Sequence, residues 1–223
     1  MIRGLKKLLQ RARRSLASRR KVFCVGLNKT GTTSITEAFR NLGLRVGDEV
    51  AAKKLLKPWA VRDFPPIIKY CRSADAFQDS PFSFPYTYQA LDQAFPRSKF
   101  ILSVRSGPGE WYQSLVEAHG RRWANGAVPT KADLQEAVNV YRGRPWEANR
   151  LLFETPEGDP YNKEVLTEFY VRHQQNVKDY FRHREGSLLV LNVASAQAYG
   201  DFCVFLGEER VDMPFPWRNR TDS

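Results

Sequence analysis

The sequence predicts an α/β fold, a doubly wound and mainly parallel sheet flanked by helices within a single domain. Residues 22 to 25, Val-Phe-Cys-Val, form an apolar run that passes through Gly26 and Gly31 into a helix-forming stretch. Lys99-Phe-Ile-Leu-Ser-Val104 is a second apolar run, ending on Arg105. Helical patterns separate such runs along the chain, and strands divided by helices pair in parallel. The 223 residues suffice for one good-sized domain with a substantial core. An aromatic content of 13% belongs to a packed chain rather than a disordered one.

Residues 1 to 21 stand apart in charge. They hold nine Lys and Arg and no acid, so they carry nearly all of the net charge of +11 and leave about +2 for the rest. Ile2, Leu5, Leu9, Ala12 and Leu16 share one side of a helix of 3.6-residue period, which makes a basic amphipathic segment. Such a segment suits an anionic membrane surface or an acidic partner; a solvated helix or a transit peptide are the other readings. The concentration of charge in this tail argues against a nucleic-acid-binding domain. No apolar stretch is long enough to cross a membrane. Cys24, Cys71 and Cys203 are widely spaced and odd in number, which suggests neither a zinc site nor a disulfide framework. A reducing cytoplasm is the expected compartment, with peripheral membrane attachment through residues 1–21 as a further expectation.

After the first strand, the loop keeps the two glycines of a nucleoside-triphosphate loop, but Thr32 stands where that loop has its lysine. The lysine is displaced to Lys29. Gly31 lets backbone N–H groups approach an anion, and Thr33 and Ser34 open a helix whose positive end faces it. A helix is expected over 34–42, stopped by Gly43, then one over 49–57 stopped by Pro58, and a third over 65–72. Residues 74–79 are a short strand ending before Ser80-Pro81, 86–95 are helical, 99–104 a strand, and 110–118 a helix. Residues 119–160 fit neither a clean strand nor one long helix, and are expected to form a lid or acceptor-site insertion. A long helix over 161–184, a buried strand over 187–193, and a helix over 196–206 ended by Gly207 complete the domain of residues 22–223.

Lys29-Thr-Gly-Thr-Thr33 resembles the 5′-phosphosulfate loop of the sulfotransferases that use 3′-phosphoadenosine 5′-phosphosulfate. The stretch from Arg105 to Ser114 resembles that family's 3′-phosphate segment, with nine positions between the two residues where eight are expected. The surplus falls in Ser106-Gly-Pro-Gly109, a loop able to absorb it. The closing Phe215-Pro-x-x-Asn219 adds to the resemblance. What it implies is a donor site made of Asn28, Lys29, Thr30, Gly31, Thr32 and Thr33 with Arg105 and Ser114, needing no metal. Lys29 is then the cation beside the bond that breaks, while Arg218 and Arg220 are expected at the surface, with added charge near the 3′-phosphate as the other reading.

Sulfuryl transfer also needs a base. Asp79, at a strand end before x-Pro, resembles the place where many of these enzymes carry a histidine, and is the expected base. Asp75, Glu37 and His119 are lesser candidates, while His173 and His183 are expected to be structural or surface residues. The acceptor is expected to be a small molecule, sugar or lipid bearing a hydroxyl or amine. The competing functions are a magnesium-dependent kinase, which the residue at Thr32 disfavours, and a non-catalytic nucleotide-binding protein attached to membranes.

Overall fold

A computed structural model of the chain describes residues 20–216. Strands β1 (Val22–Cys24), β2 (Ala76–Phe77), β3 (Lys99–Ser103) and β6 (Leu188–Leu191) form one parallel sheet in the order β2-β1-β3-β6. A separate antiparallel hairpin pairs β4 (Val138–Asn139) with β5 (Tyr141–Arg142). The register sets Phe23 beside Phe77 and Phe100, and Cys24 beside Ile101. Side chains alternate between the faces. Phe23, Phe77, Phe100 and Leu102 enter one aromatic-rich core with Trp59, Phe82 and Phe181. Val22, Cys24 and Ile101 enter the opposite core with Ile35, Phe39 and Phe202. Both faces of β1 are thus buried, which is why its sequence is a continuous apolar run.

The chain leaves β1 toward β2 on one side and returns to β3 on the other. The strand order therefore reverses between β1 and β3, and the crevice beyond their C-terminal ends is where such sheets bind ligands. Gly26 is required there by crowding. A Cβ at this position would lie 2.1 Å from Ser103 Oγ and 2.4 Å from Ser103 O. Gly26→Ala is expected to cost at least about 3 kcal/mol, beyond the usual range for overpacking, because backbone rather than a mobile side-chain tip is in the way. Urea unfolding of the variant checks this, and an unchanged midpoint would contradict it.

Most elements fall where the sequence places them. Helices α1 (Thr32–Asn41), α4 (Pro65–Tyr70), α5 (Thr87–Ala94), α6 (Pro108–Trp123), α9 (Lys163–Phe181) and α10 (Ala198–Leu206) match the expected ones within a few residues, α6 running five residues further. The expected helix over 49–57 is instead two short ones, α2 (Glu49–Lys53) and α3 (Leu56–Ala60). Pro58 does not stop a helix. It sits in the first turn of α3, where no intrahelical N–H is needed. Strand β6 is less buried than expected because it is a sheet edge, with Val190 43% exposed.

Residues 119–160 are ordered into the end of α6, α7 (Lys131–Glu136), the β4–β5 hairpin and α8 (Arg144–Leu152). A reciprocal cap between Thr130 and Asp133 starts α7. The three cysteines are buried free thiols, and no helix among the described residues is long and apolar enough to cross a membrane. The basic segment up to residue 19, Arg218, Asn219 and Arg220 lie outside the described residues.

Candidate active site

A cavity of about 460 Å³ opens at the crevice between β1 and β3, within the size range of small-molecule sites. Its floor is the β1–α1 loop. Lys29 and Gly31 both hold the left-handed conformation, with φ of 67° and 93°. This turns the backbone so that α1 begins at Thr32 with no side-chain cap and no acid in its first turn. The first N–H groups of the helix, with the positive end of its dipole, are left for an anion.

Lys29 lines the cavity half-buried, and among the described residues its ammonium has no hydrogen bond or ion pair. Burial lowers its pKa, the charges of Arg122, Arg121 and Lys53 add to this, and Asp79 opposes it. A desolvated cation without a protein partner is costly unless a ligand supplies the counter-charge.

The second half of the crevice follows β3. Arg105 Nε donates to the Lys29 carbonyl at 2.8 Å and its Nη2 to Ser114 Oγ at 3.4 Å, while Nη1 meets Glu110 Oε1 at 3.2 Å. The nine-position gap therefore still brings Arg105 and Ser114 together, one at the strand end and the other in the second turn of α6. A stacked pair, Trp111 of α6 and Tyr170 of α9, with centroids 4.7 Å apart, pins both halves. Trp111 Nε1 donates to Asn28 O at 2.9 Å, and the Arg105 N–H donates to Tyr170 Oη at 2.9 Å.

Asn28, Lys29, Gly31, Thr32, Thr33, Arg105 and Ser114 all line this one cavity. Thr30 does not. It is fully buried, its hydroxyl donating to Leu27 O at 2.6 Å and lying 2.5 Å from Ser103 Oγ. The expectation that this hydroxyl faces an anion is corrected: it locks the loop onto β3.

Asp79 lines the opposite wall, in a left-handed turn (φ 61°) before the cis Ser80-Pro81 bond. Its carboxyl is held above its ordinary range by burial. Lys53, 3.5 Å away, opposes the rise, and Glu49 adds to it. Two of the lesser base candidates leave the site. Asp75 sits at the far end of β2, paired through both oxygens with Arg45 at 3.1 and 3.2 Å. Glu37 lies on α1 beside Arg40 and does not line the cavity.

His119 does line the cavity, with Nδ1 2.7 Å from Tyr161 Oη. Burial, then the charges of Lys29 and Arg122, lower its pKa to about 3, so its imidazole is neutral near pH 7 and a weak base. His173 is buried with Nε2 at 2.9 Å from the Val25 carbonyl, a structural role.

Several lining residues had no local signal in the sequence. Arg144, 4% exposed, opens α8 after Gly143 and reaches back to Ser80 Oγ at 3.0 Å and Lys53 O at 3.1 Å. Glu49 and Lys53 on α2 face Asp79. From residues 119–160, Trp123 and Phe153 line the cavity, whereas Trp146 lies under the cations of Lys131 and Arg150, and Tyr141 bonds Glu147 at 2.5 Å. Trp123 Nε1 and Gln78 Oε1 are buried lining atoms without a hydrogen-bond partner among the described residues.

Comparison with known proteins bears on the whole of this crevice. No curated protein matches the chain. A family model described as a sulfotransferase domain matches residues 21–223. That match takes in the displaced-lysine loop, the Arg105 segment and the insertion between them and the last helices, so it covers the site as well as the sheet, and the chain belongs to the sulfotransferase family, enzymes that transfer a sulfuryl group.

Proposed function

We propose that the chain transfers a sulfuryl group from 3′-phosphoadenosine 5′-phosphosulfate to a hydroxyl or amine acceptor, by in-line displacement within the crevice between β1 and β3. The observation that carries this reading is the unpartnered ammonium of Lys29 beside an uncapped helix N-terminus, tied through its own carbonyl to Arg105. Bound there, the donor supplies the sulfuryl group and a phosphate leaving group. Lys29 and the first N–H groups of α1 balance the charge that builds on the leaving oxygen. Arg105 and Ser114 hold the 3′-phosphate, which sets this nucleotide apart from an ordinary adenylate. Asp79 takes the acceptor's proton. In-line transfer depends on positioning more than on covalent help from the protein, so the pinning of both loops by Trp111 and Tyr170 serves the reaction directly.

A screen of alcohols, phenols, amines, sugars and lipid headgroups with labelled sulfate donor, with and without magnesium, tests the reaction. Absolute dependence on magnesium, or nucleotide binding with no turnover on any acceptor, would sink it. Binding gives a simpler test. Adenosine 3′,5′-bisphosphate is expected to stabilise the fold more than ADP, by about 2.7 kcal/mol when present at a hundredfold over its dissociation constant. In a thermal-shift comparison, a larger effect from ADP with magnesium would favour a kinase instead.

A further inference from the structure

Asp79 is not alone on its wall of the cavity. Glu49, the first residue of α2, lines the same wall, and both carboxylates reach the same ammonium, that of Lys53. Lys53, one helical turn beyond Glu49, bridges them: its ammonium contacts Glu49 Oε1 and lies 3.5 Å from Asp79 Oδ2. Gln78 Nε2 donates to the other Glu49 oxygen at 3.3 Å. Arg144 backs the cluster, its Nε on the Lys53 carbonyl and its Nη2 on Ser80 beside Asp79.

Two carboxylates gathered at one ammonium are not both ionised cheaply, because like charges close together repel. One lysine supplies a single balancing charge. A lone Asp79 against Lys53 would be a poor base. Beside the charge of Glu49, it holds a proton more firmly.

We propose that Glu49 and Asp79 act as one unit in sulfuryl transfer, Asp79 taking the acceptor's proton and the charge of Glu49 making it basic enough to do so, with Lys53 keeping the pair in register. This rests on the sulfotransferase reading of the same cavity. As the acceptor oxygen bonds to sulfur, the bond from sulfur to the bridging phosphate oxygen breaks and its electron pair leaves with the bisphosphate. The acceptor's proton passes to an Asp79 oxygen, which is ionised in the reactive state. Asp79 touches the acceptor; Glu49 acts through it.

The electrostatics agree with this direction. Asp79 is raised by burial and, after the opposing charge of Lys53, by Glu49. Burial would raise Glu49 too, but the hydrogen bond and charge of Lys53, then the hydrogen bond from Gln78, bring it below its ordinary value. Lys29 from the β1–α1 loop, Arg144 from α8 and the Cys24 thiol of β1 also face Asp79.

The pair can be tested without knowing the acceptor, by ¹³C-carboxyl NMR titration of the full chain. Asp79 is expected to titrate above 3.8, its unperturbed value. Glu49→Gln removes a like charge, so the Asp79 midpoint should fall. Lys53→Met removes the positive charge, so it should rise. Glu49→Asp, which keeps the charge, should return the midpoint toward the native value. A midpoint that ignores Glu49→Gln, or moves the same way in the Gln and Met variants, overturns the pair.

With an acceptor from the screen, Glu49→Gln should lower kcat about 10- to 100-fold, at the low end of what proton transfer contributes. Affinity for adenosine 3′,5′-bisphosphate should stay within about twofold. The acidic limb of the pH profile should move down together with the Asp79 midpoint, and a limb that stays put overturns the proton role. A screen that yields no acceptor counts against the sulfotransferase reading alone, since the carboxyl titration still decides the pair.

Discussion

Lys29→Ala is expected to lower turnover by about 10²- to 10³-fold, the loss typical of removing one preorganised charge-stabilising group, and to weaken donor binding as well. Its ammonium is half-buried with no hydrogen bond or ion pair among the described residues, so its attraction for the leaving oxygen of the proposed donor is little screened. The substitution is clean in backbone. Ala and Lys meet the same constraint at φ 67°, and the carbonyl that accepts from Arg105 Nε remains in place. Removing a desolvated, unpaired cation should leave the ligand-free fold as stable as before or slightly more so. The expected signature is therefore a large kinetic loss with an unchanged or raised Tm. Single-turnover rates at saturating donor, together with thermal melts, check both parts. Turnover within threefold of the native protein would remove Lys29 from the mechanism, and a collapse of Tm would make it a structural residue instead.

The loop and Arg105 side of the candidate site were legible because their signals are local. An apolar run, two glycines and a displaced lysine lie within a dozen residues, and each has a direct backbone consequence: burial of β1, close contact of Gly26 with Ser103, and the left-handed turn at Gly31. Arg105 and Ser114 were legible for the same reason, and the one-residue surplus between them was absorbed by the glycine-rich turn before α6. The 119–160 insertion was not. Its elements are too short for periodicity to register: α7 has six residues and each hairpin strand two. One local clue was available there, the Thr130-x-x-Asp133 cap.

Glu49 and Lys53 could be recognised in the sequence only as an i,i+4 pair on a helix surface, usually a solvated feature. It takes the packing of α2 against the turn after β2 to aim that pair at Asp79, and no pattern within either segment encodes a contact across thirty residues. Arg144 shows the same limit from the other side. A charged residue after a glycine suggests an exposed loop, yet this guanidinium is buried because Ser80 and the Lys53 carbonyl satisfy it. Asp75 and Asp79 were separated by topology alone. Both flank β2, but only the C-terminal end of a parallel strand faces the crevice.

Asp79→Asn should lower turnover by about 10²- to 10⁴-fold, as expected when a general base is removed, while donor affinity stays close to native because no donor-binding residue is altered. Its effect on stability should have the opposite sign. The folded chain holds the Asp79 carboxyl above its ordinary range, so ionisation is harder in the folded than in the unfolded state. Stability is then lost as pH rises from the unfolded value near 3.9 through the raised folded one. Asparagine carries no charge to bury, and it tolerates φ 61° better than most residues. The variant should therefore melt at or above the native temperature at a pH above the native Asp79 midpoint, and its advantage should shrink at a pH below it, where Asp79 in the native protein takes up its proton. Melting curves at both pH values, beside rate measurements with a competent acceptor under conditions where chemistry limits the rate, decide the matter. Near-normal turnover would show that Asp79 is not the base and make His119 the next residue to test, since of the other candidates it alone lines the cavity. A stability gain that does not diminish at low pH would mean that the benefit comes from the backbone turn rather than from the buried charge.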